Sequence, residues 1–127
     1  MHKIEKKIKL LSVNEAWQGR RYKTKNYDAY QKTLLYTLPY EKINLIQSYY
    51  IIFIFNFSNK LSDWDNPIKP LQDILQKKYG FNDRDVHIAL VFKKIVQKKD
   101  EGFIVYIGDS NNFYDDLETI RTQQKIE

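Results

Sequence analysis

A chain of 127 residues with 43% hydrophobic and 29% charged residues has enough apolar material for one core and too little length for two. The absence of cysteine excludes disulfides, thiolate zinc sites and thiol nucleophiles, and fits a reducing, cytoplasmic setting. Net charge is +5, unevenly spread: +7 over residues 1–62, +2 over 63–100 and −4 over 101–127, so the polyanion-binding potential is N-terminal.

The lysine-rich start lacks the apolar core of a secretion signal, and the longest apolar run, 49–55, is too short to span a bilayer. Residues 4–11 read as an edge strand, with Ile4, Ile8 and Leu10 on one parity and lysines between them. Residues 14–25 are polar, aromatic and basic without periodicity, and read as a loop. Thr24 or Asn26 can then cap a helix that runs to about Thr37, with Tyr27, Tyr30, Leu34 and Leu38 as its apolar stripe and Pro39 as its stop.

Residues 46–57 contain an unbroken β-branched and aromatic run, the pattern of a central strand covered on both faces. A second helix follows, expected to be capped by Asp65 or Asn66 with Pro67 in its first turn, to bury Ile68, Leu71 and Leu75, and to end at Gly80. Residues 86–92 and 102–107 read as two strands joined by a lysine-rich turn. Phe113, Leu117 and Ile120 predict an acidic amphipathic helix over 112–123, with Asp115, Asp116 and Glu118 facing outward. The expected fold class is α+β: a single domain over 1–109 in the order β-α-β-α-β-β, its mixed sheet packed by helices, and a C-terminal tail over 110–127.

His2 and His87 have no partner at metal-ligand spacing, which leaves oxygen ligands as the source of any metal site. Asp63-Trp64-Asp65-Asn66-Pro67-Ile68-Lys69 places two carboxylates two residues apart at a loop-to-helix junction, an arrangement suited to a hard divalent cation. Lys69 lies one helical turn after Asp65, and Asp83 follows at the far end of the helix-loop unit. If the strand after Asp83 pairs beside the central one, its carboxylate can return toward Asp63 and Asp65. The competing explanation is that acids at a helix start simply cap it. A calcium loop beginning at Asp63 is excluded, because Ile68 and Ile74 stand where glycine and a bidentate glutamate are required.

The pattern D-x-D-N-x-x-K, continued by Pro70-Leu71-Gln72-Asp73-Ile74-Leu75 and by Gly80-Phe81-Asn82-Asp83-Arg84-Asp85-Val86, resembles the RusA family of crossover junction endodeoxyribonucleases. Ser12-Val13-Asn14, followed by Arg21, Lys23 and Tyr30, extends the resemblance, which covers about 4–107. It implies metal ligation by Asp63, Asp65 and Asp83, a catalytic Lys69, Mg²⁺ or Mn²⁺ as cofactor with no small-molecule cofactor, and paired nicking of four-way (Holliday) DNA junctions by a homodimer. Where many members carry two consecutive Asp, the first is Asn82 here, and that carboxylate's contribution is lost. Asn14, Arg20, Arg21, Lys23 and Lys25 would hold phosphates, and Trp17, Tyr22 and Trp64 would stack on opened bases. Two other functions remain open on the sequence: a non-catalytic branched-DNA-binding protein, and a metal-dependent nuclease for another branched DNA or for RNA. The homodimer interface is expected at the tail or at the strand 102–107.

Overall fold

A computed structural model describes residues 1–18, 22–44 and 47–126, with 17, 18, 22 and 23 described by backbone alone. Its elements run β1 (His2–Lys7), α1 (Val13–Ala16), β2 (Trp17–Gln18), β3 (Tyr22–Lys23), α2 (Lys25–Thr37), β4 (Tyr49–Phe57), α3 (Ile68–Tyr79), β5 (Val86–Ile95), β6 (Gly102–Asp109) and α4 (Phe113–Gln124). The fold is α+β in one small domain, with a four-stranded mixed sheet ordered β1-β6-β4-β5.

β4 organises this sheet. It pairs in parallel with β5, Tyr50 opposite Ile88, and antiparallel with β6, Tyr50 opposite Gly108. Its odd-numbered side chains from Tyr49 to Phe57 pack with Tyr27, Tyr30 and Leu34 of α2 and with Leu71, Ile74 and Leu75 of α3. The even-numbered Tyr50, Ile52 and Ile54 meet Tyr106 and, from α4, Phe113 and Ile120. Both faces are thus buried, which accounts for the unbroken apolar run.

Most elements follow the sequence closely. Thr24 caps α2 by accepting from the Tyr27 amide at 3.1 Å, and Gly80 closes α3 in the left-handed conformation at φ 77°. β1 is an edge strand paired antiparallel with β6. The stretch 14–25, expected as loop, contains instead the one-turn α1 and the short β2–β3 pair.

Two expectations are corrected. β5 and β6 are not neighbours joined by a turn, since β4 lies between them and the lysine-rich segment crosses over its carboxyl end. β6 has both edges paired, and the outer strands of the sheet are β1 and β5. α4 does dock its apolar stripe on the sheet, but Asp116 does not face outward: it is half-buried and accepts the Tyr50 hydroxyl at 2.7 Å. The buried phenol needed an acceptor, and Asp116 is the carboxylate within reach of it.

Burial raises the pKa of Tyr27, Tyr30, Tyr50 and Tyr79, and raises that of Tyr49 from 10.0 to about 12, with Asp85 and Asp83 pushing further in the same direction. A hydroxyl held neutral in the fold contributes stability that is complete below its unfolded value and is lost as pH rises toward the folded one. Tyr49 therefore stabilises fully below pH 10.0, and that contribution disappears between pH 10.0 and about 12. Urea midpoints should accordingly fall steeply across this window. In Tyr49→Phe the alkaline fall should be shallower, since one of the titrating phenols is gone.

Candidate functional site

The D-x-D-N segment occupies the connection from the carboxyl end of β4 to α3. Lys93 of β5 shapes its first half, donating to the Lys60 carbonyl at 2.9 Å and to that of Ser62, with its ammonium 5.6 Å from the centre of the Phe57 ring. The second half is a turn closed by the Ile68 amide on the Asp65 carbonyl at 3.1 Å. The Val13 amide donates to the Asn66 carbonyl at 2.9 Å, which brings the Ser12-Val13-Asn14 segment against the acidic loop.

α3 begins on Pro67, in αR conformation, and no side chain caps it. The expected cap by Asp65 or Asn66 is therefore absent. A proline-led turn has already aligned the chain and closed it through backbone carbonyls, the Leu71 amide reaching Pro67 at 3.3 Å. Asp63 and Asp65 are both exposed, and Asp63 receives only a long 3.5 Å contact from the Asn66 amide group. Among the described residues the Asp65 carboxylate has no hydrogen-bond or ion-pair partner.

Lys69 does not turn back to Asp65. It pairs forward with Asp73 at 3.1 Å, beside the buried Tyr27 of α2. An exposed helical pair of this kind contributes only about 0.3–0.5 kcal/mol, so the ammonium can be redirected to a stronger anion at small cost. Asp83, in a 3-10 turn ahead of β5, receives the Gln72 amide group at 3.4 Å. Gln72 lies one turn inside α3, roughly 6 Å of helical rise beyond Ile68. Asp83 thus returns partway along the helix and stops short of the loop.

Among the described residues, no three acidic or histidine side chains lie close enough to hold one metal ion. The donor chemistry of Asp63, Asp65 and Asp83 suits Mg²⁺, yet in this conformation the three carboxylates do not converge. Asp63 lines a cleft of about 400 Å³ together with Ser12, Glu15, Phe57, Asn66, Lys98 and other residues at the end of β4.

Of the expected phosphate-binding residues, Asn14 is exposed on α1 and Lys25 is exposed at the start of α2. Lys23 is described only as backbone of β3, and Arg20 and Arg21 lie outside the described residues, as do the side chains of Trp17 and Tyr22. Trp64 is 54% exposed within the acidic loop. The sequence reading missed Lys93 and Gln72, which hold the loop and Asp83 respectively. Neither carries a local signal, since each acts across the sheet or the helix on a segment distant in sequence.

Compared with known proteins, the chain matches no protein-family model and no curated protein sequence.

The two carbonyls held by Lys93 generate a direct expectation. Lys93→Met keeps the apolar stem and removes the ammonium, so amide exchange at Leu61 and Ser62 should accelerate several-fold while the melting temperature stays nearly constant. Unchanged exchange at both amides would show that the loop is held by its own turns alone.

Proposed function

We propose that this chain is a metal-dependent endonuclease that nicks four-way DNA junctions in pairs, as a homodimer in the cytoplasm, with Mg²⁺ or Mn²⁺ as cofactor. The observation that carries this reading is the idle pair of carboxylates at the start of α3. α3 opens without a side-chain cap, so the capping reason for acids at this place is missing. Metal ligation is the use this reading assigns them.

On this reading Asp63, Asp65 and Asp83 hold the cation, and the weak 3.4 Å tie of Asp83 to Gln72 is given up when it is bound. A bound divalent ion supplies an acidified water and neutralises charge on the scissile phosphate. Lys69, released from Asp73, meets the phosphate as a positive group. Asn14, Arg20, Arg21, Lys23 and Lys25 hold flanking phosphates against the repulsion of the acids.

Asp65→Asn tests the assignment. Amidation nearly preserves shape, so cleavage of a synthetic junction should fall by orders of magnitude while junction affinity in metal-free buffer is kept or tightened. Because Asp65 caps nothing, the melting temperature should not change. Parental cleavage rates in this variant would refute the active-site assignment.

A second reading, a non-catalytic binder of branched DNA, is favoured by the lack of any three-acid group among the described residues. Junction binding by the parent chain, with no nicking in either Mg²⁺ or Mn²⁺, would select it. The nuclease reading further expects a two-fold assembly, since two opposed strands must be cut. Light scattering at micromolar concentration should give twice the 15.4 kDa chain mass. A monomer that retained full junction cleavage would sink the dimer.

A further inference from the structure

Three connections meet beyond the carboxyl end of β4: the segment after β1, the acidic loop, and the crossover from β5 to β6. Val96 and Glu101 fasten the crossover there, the Val96 amide donating to the Phe57 carbonyl at 2.7 Å and the Glu101 carbonyl accepting from the Ile8 amide at 3.0 Å. The Ser58 hydroxyl bonds the Glu101 carboxylate. This anchoring brings Lys7 and Lys9 from one segment beside Lys98 and Lys99 from another, around a cleft of about 290 Å³.

Lys9, Lys98 and Glu101 also line the cleft that contains Asp63, so the two depressions adjoin across these three residues. The lysine ends are not neutralised in place. Lys7 pairs with Asp100 at 3.3 Å, but Lys9, Lys98 and Lys99 are exposed and have no ion-pair partner among the described residues. Glu101, the one acid of the basic cleft, is occupied by Ser58 and half-buried. Like charges gathered at one spot repel, and an incoming polyanion would relieve that repulsion while releasing its own counterions.

We propose that Lys9, Lys98 and Lys99 form a phosphate-binding track for the DNA backbone that leads into the Asp63 cleft, separate from the basic segment 20–25. The proposal rests on the nuclease reading for its substrate and adds a second contact surface to it. Lysines suit backbone contacts of this kind, being flexible point charges that take any phosphate orientation and read no base. Lys9 and Lys98 then lie on the rim of the same cleft as Asp63.

The test compares two triple variants of the full chain that lower net charge equally. One is Lys9→Gln, Lys98→Gln and Lys99→Gln. The other, Lys32→Gln, Lys42→Gln and Lys125→Gln, removes three exposed lysines that line neither cleft. Affinity for a fluorescent four-way junction is measured in EDTA between 50 and 200 mM salt. The slope of log affinity against log salt should be shallower by about 2 to 3 units in the first triple and nearly parental in the control triple. Equal slopes in the two triples, with the parent binding and cleaving normally, would overturn the track and leave the nuclease reading standing. A parent chain that neither binds nor nicks the junction would overturn both.

Discussion

The constraint on which the structure depends is the burial of β4 on both faces and along both edges. Its nine residues face α2 and α3 on one side and α4 on the other, with β5 and β6 at its flanks. Such a strand can carry no charge along its middle, so chemistry is displaced to its ends. It also commits the chain to a parallel partner in β5, and a parallel partner requires a crossover. α3 is that crossover, and the residues most suggestive of function lie on its two approaches.

This geometry explains why three aspartates with suitable chemistry do not meet. Asp63 and Asp65 precede α3 at the carboxyl end of β4, while Asp83 follows α3 near the amino end of β5. A helix of 12 residues is about 18 Å long, and the chain must fold back on it before the acids can approach. Asp83 makes part of that return and meets Gln72. Separation is also the arrangement electrostatics favours without a cation, because clustered carboxylates raise one another's energy and only an added positive charge compensates them.

Charged residues gather at the carboxyl end of β4, where the loop before α3, the segment after β1 and the β5–β6 crossover have to pass. Lys93 spends its ammonium on loop carbonyls there, and Lys7 spends its own on Asp100. The lysines left over face solvent at the rim of the Asp63 cleft.

Much of this was legible along the chain, for reasons that are local. Thr24 three residues before Tyr27, Gly80 after α3, the unbroken run of β4 and the apolar stripe of α4 each encode their element through sterics, capping or periodicity within a few residues. The α+β class and the order of the long elements follow from those signals alone. What they could not decide is anything set by contacts between separate segments: that β4 separates β5 from β6, that Asp116 turns inward to a buried phenol, and that Asp83 stops at Gln72. The sequence by itself determined which residues could bind a cation or a phosphate, because that is a property of side-chain chemistry. Only the tertiary structure decided which of them share a surface, because pairing order and crossover length, not spacing in the chain, set their distances in space.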